Sequence, residues 1–323
     1  MDIDSKIFIA GHSGLVGSAL IRLLRARGFT QVLTRTHDEL ELCDNAAVED
    51  FFAQERPDAV IMAAAVNSSL AYNSTHATHA YSSNLLMGLN IISSACRHHT
   101  ARLCYIGSAT LYPANTLSPI SETALGSGLL DAQHEMYALA KLCCARYLDA
   151  CNREYGTGYF TVVPCNLYGL NDRYGPHARV IPALIEKFCS AKDQDAPFVS
   201  VWGSGKARRE FLCSDDLAEA ILHLMSIDLP SLPGSLINVG TGYDLSIREL
   251  ALLIRKITGF SGEVVFDTTK PEGAHSRLLD ISLLRNLGWQ PRLSLEEGLQ
   301  LTCSDYLKLD KTSAPNQNKS SGL

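Results

Sequence analysis

The chain has 323 residues, a hydrophobic fraction of 46% and a charged fraction of 19%, the proportions of an ordinary globular protein. Its formal net charge of -6 gives no general attraction to nucleic acid or to an anionic membrane. No apolar run is long enough for a membrane span, and the first residues lack the pattern of a secretory signal. The ten cysteines show no Cys-x-x-Cys spacing, so we expect no disulfide framework, no metal site, and a cytoplasmic protein with reduced thiols.

The first predicted elements are a strand, a glycine-rich turn and a helix. Lys6-Ile-Phe-Ile-Ala10 is a short β-rich apolar run and predicts a buried parallel strand. Gly11, Gly14 and Gly17 follow it directly, and Ser18-Ala-Leu-Ile-Arg-Leu-Leu-Arg-Ala-Arg27 predicts the helix. This order indicates a dinucleotide-binding turn, in which glycines let the backbone approach a pyrophosphate. A glycine turn that serves packing alone is the alternative.

The second predicted strand bears on the choice of cofactor. Gln31-Val-Leu-Thr34 leads into Arg35 and His37, and no carboxylate stands at the strand end before Asp38. An acidic residue at this point usually holds the ribose of NAD, whereas an arginine accommodates the 2′-phosphate of NADP. The sequence therefore favours NADP, with Arg35 and His37 as candidate ligands, although Asp38 and Glu39 are close by.

Further alternation of strands and helices predicts the fold. Ala59-Val-Ile-Met-Ala-Ala-Ala65 predicts a strand that ends in small residues, and a helix runs from Asn84 to Cys96. Arg102-Leu-Cys-Tyr-Ile-Gly107 predicts the next strand, and Ser108 stands at its carboxyl end, where open α/β sheets bind ligands. Tyr159-Phe-Thr-Val-Val-Pro164 predicts another strand. The pattern predicts an α/β fold with a Rossmann, doubly wound parallel sheet.

A tyrosine and a lysine lie between the last two of these strands. Tyr137-Ala-Leu-Ala-Lys141 belongs to a run rich in Ala and Leu, which predicts a buried helix. Residues four apart share one helix face, and an ammonium near a phenol lowers the pKa of the tyrosine. Such a tyrosine can act as a general acid or base. The alternative is a core tyrosine beside a solvated lysine.

The elements become smaller after Gly169. A polar loop at 170–178 precedes several short helices and strands, among them a strand at Arg209-Glu-Phe-Leu-Cys and a helix that begins with a capping box at Ser246-Ile-Arg-Glu. We expect three regions, which are a Rossmann domain at 1–165 that also receives a segment near 206–240, a smaller C-terminal α/β substrate domain at 166–310, and a disordered tail at 311–323.

The glycine turn, Ser108 and the Tyr137–Lys141 pair together resemble an extended short-chain dehydrogenase/reductase that acts on a nucleotide sugar. The resemblance extends from Lys6 to about residue 307 and narrows to the GDP-L-fucose synthase family. The further motifs that carry it are Phe8-Ile-Ala-Gly-His12, Gly107-Ser108 with Tyr112-Pro113, Asn166-Leu-Tyr-Gly169, Val180-Ile-Pro-Ala-Leu, Val201-Trp-Gly-Ser-Gly205, Arg209-Glu-Phe-Leu, Ile237-Asn-Val-Gly-Thr-Gly242 and Leu287-Gly-Trp289.

The resemblance implies a substrate, a cofactor and residue roles. That family epimerises C3 and C5 of GDP-4-keto-6-deoxy-D-mannose and then reduces C4 with NADPH. It implies that Tyr137 protonates the C4 oxygen, that Ser108 hydrogen-bonds this oxygen, and that Lys141 holds the nicotinamide ribose and lowers the Tyr137 pKa. It also implies a homodimer through the helices around Tyr137. Implied cofactor contacts are Gly11, Gly14, Leu15, Val16, Gly17, Arg35, Asp44, Ala63, Ala64, Ala65, Asn84, Ser108, Tyr137, Lys141, Pro164 and Asn166. Implied substrate contacts are Asn166, Arg179, Val180, Lys187, Trp202, Arg209 and Arg277, with no metal.

The chain departs from the family at the two epimerase residues. The family uses a Cys two residues after the Ser and a His just before Val-Ile-Pro, and this chain has Thr110 and Arg179 there. A threonine hydroxyl is too weak an acid or base to exchange a carbon-bound proton near neutrality, and an arginine stays protonated. A second departure lies in the run from Val66 to Ser69. We therefore expect a 4-keto reductase without epimerase activity, which makes a GDP-6-deoxy hexose or heptose for surface polysaccharide.

Three other interpretations stay open. His177 could replace the missing base in a full GDP-L-fucose synthase, although an exposed loop histidine is the simpler interpretation. A redox-neutral epimerase or a dehydratase of the same superfamily is the second, but Thr110 and Leu111 stand where a dehydratase has an Asp-Glu pair. A cofactor-sensing binding protein is the third, and it predicts decay of a triad that is intact here.

Overall fold

Strands and helices alternate along the computed structural model, which describes residues 1–66, 76–227, 235–270 and 277–313. The strands are β1 (Ile7–Ala10), β2 (Val32–Leu33), β3 (Ala59–Met62), β4 (Arg102–Ile106), β5 (Phe160–Pro164), β6 (Asn166–Tyr168), β7 (Phe198–Trp202), β8 (Arg208–Arg209), β9 (Phe211–Cys213), β10 (Leu236–Val239), β11 (Leu245–Ser246) and β12 (Glu263–Asp267). The helices are α1 (Leu15–Ala26), α2 (Asn45–Glu55), α3 (Ala77–Arg97), α4 (Glu135–Tyr155), α5 (Val180–Asp193), α6 (Ser214–Ser226), α7 (Ile247–Thr258), α8 (Ser282–Asn286) and α9 (Leu295–Ser313). None of the helices in these ranges has the length and apolar character that a membrane crossing requires.

Six strands form the central sheet in the order β2-β1-β3-β4-β5-β10, and every neighbouring pair is parallel. Successive side chains of a strand point to opposite faces, so each face has its own core. Ile7 and Ile9 of β1 pack in the cluster that contains α1 and α6, whereas Phe8 packs in the cluster of α2, α3 and α4. These two covered faces confirm the predicted doubly wound α/β sheet.

The strand order reverses at β1, which is where such folds bind dinucleotides. The chain goes from β1 to β2 on one side and returns to β3 on the other. Gly11 follows β1 with a φ of +85°, and a Cβ on Gly11 would lie 2.5 Å from the backbone nitrogen of Ala64. Only glycine fits this turn, because the ends of β1 and β3 approach each other so closely.

Helix α4 is packed tightly against α3. A Cβ on Gly88 in α3 would lie 2.4 Å from Sγ of Cys144 in α4, so the two helices touch where Gly88 has no side chain. This contact fixes the position of α4 against the sheet from the face opposite the glycine turn.

The remaining strands form three small two-stranded sheets. Strand β6 pairs with β9 and β7 with β12 in parallel, and β8 pairs with β11 in the antiparallel sense. Helices α5, α7 and α9 cover them with a third core, which contains Phe188, Ile254 and Leu299. The predicted capping box at the start of α7 is confirmed, because Ser246 and Glu249 bond each other's backbone.

Two predicted boundaries were wrong. The single strand predicted at 209–213 is divided between β8 and β9, because the Glu210 side chain turns inward to accept hydrogen bonds from the backbone of Thr241, Gly242 and Leu279. The tail was predicted from residue 311, whereas α9 continues to Ser313. The rest of that tail and residues 67–69 lie outside the described residues.

Candidate active site

The glycine turn offers an anion site at the start of α1. Gly14 stands at the N-cap with no side-chain cap, and the first turn, which Leu15 and Val16 begin, contains no acidic residue. A Cβ on Gly17 would lie 2.1 Å from the Gly11 oxygen, whereas a Cβ on Gly14 would meet only that oxygen at 3.5 Å. Gly17 therefore lets the turn close, and Gly14 leaves space beside uncapped N–H groups. Such a helix end fits the pyrophosphate of a dinucleotide.

The alanines after β3 continue this surface. The Ala63 N–H donates to the Ala10 oxygen at 2.9 Å, while Ala64 is half-buried and Ala65 is exposed. Asn84, by contrast, is buried. Its side-chain amide bonds both the N–H and the carbonyl oxygen of Val66, the residue that follows Ala65. Asn84 therefore positions the loop after β3.

Two of the predicted cofactor contacts, Arg35 and Asp44, have structural partners. The Arg35 guanidinium donates to Oε1 of Glu55 at 2.6 Å and lies 5.3 Å from the ring centroid of Phe51. The Asp44 carboxylate caps α2 by accepting the N–H groups of its first turn. A 2′-phosphate would thus compete with Glu55 for Arg35, a competition that the sequence did not indicate.

Ser108 stands at the carboxyl end of β4, as predicted, and it is bonded to its neighbour Thr110. Its Oγ accepts the Thr110 hydroxyl at 3.0 Å and the Thr110 N–H at 3.3 Å. The short helical turn that follows Ser108 packs against α4. The position predicted for the missing epimerase thiol is therefore in direct contact with the predicted reductase serine.

Tyr137 and Lys141 lie one turn apart on α4 and are 6% and 3% exposed. Nζ of Lys141 donates to the Ile106 oxygen at 2.8 Å and lies 4.6 Å from the Tyr105 ring centroid. Burial lowers the pKa of Lys141 to about 8 and raises the pKa of Tyr137 to about 12. The Lys141 ammonium therefore faces the end of β4, and the Arg179 charge lowers the pKa of Tyr137 by less than burial raises it.

Arg179 lies at the N-cap of α5, directly before Val180, and is paired with Asp172. Its Nη2 donates to Oδ1 of Asp172 at 2.8 Å, and the Asp172 side chain is 1% exposed. The other oxygen of Asp172 is buried and has no hydrogen-bond partner within the described part of the chain. The predicted substrate residue Arg179 is therefore held by a buried carboxylate at the start of α5.

Arg277 supports the segment after Ser108. Its guanidinium donates to the carbonyl oxygens of Ala109, Tyr112 and Pro113 at 3.2 to 3.3 Å. Its charge and that of Arg209 reach His134, whose pKa is lowered mainly by burial and raised in part by Asp131. The predicted substrate contacts Arg209 and Arg277 thus both lie near His134, and Arg277 also stabilises the segment after Ser108 through these hydrogen bonds.

Trp202 and Lys187 form a separate cluster at the end of β7. The Trp202 ring is 61% exposed, and the ammonium groups of Lys187 and Lys270 lie 5.7 and 5.9 Å from its centroid. An exposed aromatic face can stack on a nucleobase, and ammonium groups attract phosphate. Of the other predicted residues, Asn166 is tied to the Glu210 oxygen and Pro164 is buried at the end of β5.

Sequence reasoning missed four residues of this site, which are Asp172, His134, Lys270 and His12. Asp172 and Arg179 lie in one polar stretch, but nothing in that stretch indicates which carboxylate pairs with the arginine. Nδ1 of His12 is buried without a partner among the residues described here, and it follows Gly11 directly. No group of three metal-ligating side chains occurs in the described ranges.

A family model described as the NAD dependent epimerase/dehydratase family matches residues 7–240. The chain belongs to this family. It is 43% identical over 312 residues to the GDP-L-fucose synthase of Escherichia coli (strain K12), which covers 94% of this chain and 97% of the relative.

Two solved structures of the family share the whole fold. One is a GDP-6-OMe-4-keto-L-xylo-heptose reductase from C. jejuni, with a TM-score of 0.90 and 34% identity over 96% of this chain and 99% of that one. The other is a GDP-mannoheptose C4 reductase from Campylobacter jejuni with NADP bound, with a TM-score of 0.88 and 36% identity over 95% and 99% of the two chains. The chain therefore belongs with GDP-sugar synthases and reductases, and the predicted enzyme class, an NADP-dependent oxidoreductase, is confirmed together with the cofactor.

Proposed function

We propose that this protein uses NADPH to reduce the C4 ketone of a GDP-linked 4-keto-6-deoxy sugar, a hexose or a heptose, without epimerising C3 or C5. One observation carries the proposal. Ser108 and Tyr137 are present at the carboxyl edge of the sheet, while the two residues at the epimerase positions are bonded to other groups and have no proton-exchange chemistry. Two similar solved structures carry names of GDP-heptose reductases, which supports the same reaction.

The chain's own residues would handle the proton of this reduction. NADPH, when bound, supplies the hydride that adds to C4. The Tyr137 hydroxyl gives its proton to the C4 oxygen, and Ser108 donates a hydrogen bond to that oxygen as negative charge develops. The glycine turn would hold the pyrophosphate, and buried Lys141 would contribute positive charge beside the nicotinamide ribose. The exposed Trp202 face and its two lysines suit the guanosine and the diphosphate.

Epimerisation needs a group that takes a proton from carbon near neutrality. The Thr110 hydroxyl and the Arg179 guanidinium cannot do so, because the first is too weakly acidic and the second stays protonated. A second candidate function, a full 3,5-epimerase-4-reductase, is favoured by His134, since burial lowers its pKa and leaves it a neutral base beside Arg277. The exposed His177 is the other candidate base.

Proton exchange with solvent separates the two candidates. The protein would be supplied with GDP-4-keto-6-deoxymannose and NADPH in deuterated water, and the product would be analysed by NMR. We expect NADPH consumption with no deuterium at C3 or C5. Exchange at either carbon would favour the full synthase, and its loss in a His134→Gln variant would identify the base.

The Tyr137→Phe variant tests the proposed acid. We expect turnover to fall by about a thousandfold, because general acid catalysis contributes on the order of 10² to 10⁴ in rate. NADPH affinity, measured by fluorescence titration, should stay close to that of the unsubstituted protein. A large loss of NADPH affinity would instead assign Tyr137 to cofactor binding.

We also propose a homodimer through the exposed faces of α3 and α4, where Leu86 and Tyr155 are exposed apolar side chains. Light scattering after size-exclusion chromatography measures the mass, and a monomer at micromolar concentration would contradict this proposal.

A further inference from the structure

Glu55 holds the Arg35 guanidinium away from the edge of the sheet that carries the glycine turn. Nη2 of Arg35 donates to Oε1 of Glu55 at 2.6 Å, and Cζ of Arg35 lies 5.3 Å from the ring centroid of Phe51 on the same helix, α2. Glu55 lies beside the start of β1, because Nζ of Lys6 donates to its carbonyl oxygen at 2.7 Å. The glycine turn begins with Gly11 at the other end of β1, and the four residues of this strand span about 13 Å. The Arg35 side chain is therefore directed back along α2, toward the amino ends of the strands.

The ion pair between Arg35 and Glu55 is half-buried and has further support. The two side chains are 32% and 27% exposed. Nη1 of Arg35 also donates to the Thr34 oxygen at 2.8 Å, and Nζ of Lys6 lies 3.6 Å from Oε2 of Glu55. An arginine near the end of the second strand accommodates the 2′-phosphate in NADP-binding folds. Here a 2′-phosphate gains this arginine only after the pair with Glu55 breaks, which lowers the net gain in affinity.

Carboxylates outnumber cations in the residues that follow β2. Residues 35–41 contain one arginine and one histidine, and their carboxylates are Asp38, Glu39 and Glu41. Nε2 of His37 lies 3.2 Å from Oε2 of Glu41, so the second candidate cation also has an acidic partner. A phosphate monoester carries a charge of about −1.5 to −2 near neutral pH, and these carboxylates repel it.

Glu39 is suited to bind a ribose that has no phosphate. Its Oε2 accepts the Thr36 N–H at 2.7 Å and the Thr36 hydroxyl at 2.9 Å. These two bonds lower the pKa of the Glu39 carboxyl, which keeps it charged at neutral pH. Glu39 is exposed, and its Oε1 accepts no hydrogen bond from the described residues. A carboxylate about 20 residues beyond the glycine turn binds the ribose hydroxyls in NAD-binding folds, and Glu39 has this spacing.

We infer that this cofactor site binds NAD(H) as well as NADP(H), with affinities that differ by less than about tenfold. Glu55 withdraws the arginine that would select the 2′-phosphate, and Glu39 supplies the acceptor that a free 2′-hydroxyl needs. Glu55 is then a specificity-determining residue that acts through Arg35. The inference goes beyond the proposed function, because it concerns the cofactor and holds for any reaction at this site.

Isothermal titration of the full chain with NAD⁺ and with NADP⁺ measures the two affinities directly. We expect dissociation constants within about tenfold of each other, since the charge-assisted hydrogen bonds of a fully engaged arginine would favour NADP⁺ by more than about tenfold. A larger difference in either direction would overturn the inference.

The Arg35→Met variant tests whether Arg35 leaves Glu55 when NADP⁺ binds, and Arg97→Met is its matched control. Arg97 donates to Glu49 of α2 at 2.6 Å, so each variant breaks an ion pair with the same helix. We expect both variants to lose little thermal stability and to keep the ratio of the two dissociation constants within about twofold. A larger and selective loss of NADP⁺ affinity in Arg35→Met would show that Arg35 binds the 2′-phosphate, and the inference would fail.

The Glu55→Ala variant releases Arg35 and keeps the backbone oxygen that Lys6 binds. We expect it to raise NADP⁺ affinity about tenfold, with little change for NAD⁺. The double variant with Arg35→Met should lose this gain, which assigns the gain to the arginine. An unchanged ratio of dissociation constants in Glu55→Ala would contradict the role of Glu55.

The Glu39→Gln variant tests the ribose contact. Its amide keeps an oxygen for Thr36 and loses the charge, so we expect NAD⁺ affinity to fall about fivefold while NADP⁺ affinity does not fall. Equal losses for the two cofactors would contradict this contact.

The binding data separate this inference from the proposed function. Comparable binding of both cofactors without reduction of any GDP-4-keto sugar would refute the proposed function alone. Reduction of such a sugar with NADPH, together with NAD⁺ binding that is weaker by more than about tenfold, would refute the inference alone.

Discussion

The proposed cofactor side and the proposed substrate side of this site differ in the atoms that form them. The cofactor side is formed mainly by backbone, at Gly11, Gly14, Gly17 and the alanines after β3, where missing side chains create the space. The substrate side is formed by charged side chains in paired or buried positions, such as Asp172 with Arg179. A surface formed by backbone atoms tolerates few substitutions, whereas charged side chains that line a site can be replaced individually.

Lys141 is the exception to this contrast, because it is a buried charge on the cofactor side. Burial lowers the pKa of Lys141 from 10.5 to about 8. The charged ammonium therefore lowers the free energy of unfolding by about 3 kcal/mol. Between these two values the unfolded chain holds a proton that the folded protein lacks, so this contribution to stability rises with pH from about 8 to 10.5. We therefore expect Lys141→Met to be more stable at pH 7 and to lose this advantage by about pH 10.5.

Chemical denaturation of both proteins across this pH range measures the effect, because the difference between them cancels the other titrating groups. A constant difference from pH 7 to 10.5 would mean that Lys141 keeps its ordinary pKa, and the cofactor side would then contain no buried charge under strain.

Substitutions at Gly14 and Gly17 test whether cofactor binding depends on the backbone of the glycine turn. A Cβ on Gly17 would collide with the Gly11 oxygen, so Gly17→Ala should lower stability by about 2 kcal/mol and NADPH affinity by about thirtyfold. A Cβ on Gly14 meets no atom closer than 3.5 Å. Gly14→Ala should therefore keep its melting temperature and lose only NADPH affinity, because its methyl group occupies space for the pyrophosphate. Isothermal titration and thermal melts of both variants are the measurements, and equal melting temperatures would refute the distinction.

The Glu210→Gln variant tests the substrate side, and its expected effect on the free energy of unfolding is the smallest of these predictions. The buried Glu210 carboxylate accepts the N–H groups of Thr241, Gly242 and Leu279, and an amide can satisfy only part of this arrangement. Glu210→Gln should lower the free energy of unfolding by about 1 to 2 kcal/mol without changing NADPH affinity. Glu219→Gln, which breaks a surface ion pair with Arg27, should lower it by less than about 0.5 kcal/mol. A parallel loss of NADPH affinity in Glu210→Gln would show that the two sides are not independent.

The cofactor side was largely predictable from the sequence, because its signals are local. The strand, glycine turn and helix at residues 6 to 24 follow one another directly, and Ser108 comes immediately after its strand. A regular strand–helix alternation places all these strand ends on one edge of the sheet. The Tyr137–Lys141 spacing predicted a shared helix face for the same reason.

The substrate side was less predictable, because its contacts depend on side-chain direction and burial. The sequence identified Thr110 and Arg179 as departures but did not indicate that they contact Ser108 and Asp172. Helical spacing alone also does not determine whether the Lys141 ammonium faces a phenol or a carbonyl oxygen, and here it donates to the Ile106 oxygen. Burial controls both pKa shifts, and burial depends on the whole fold.

Gly88 has a consequence for mutational tolerance. A methyl group there would push α3 away from Cys144 and shift the helix that carries Tyr137. A saturation screen for activity should therefore rank Gly88 among the least tolerant positions, beside the tyrosine itself. Intolerance to substitution in this protein would then mark two different requirements, the proposed proton donor and the helix contact that positions it.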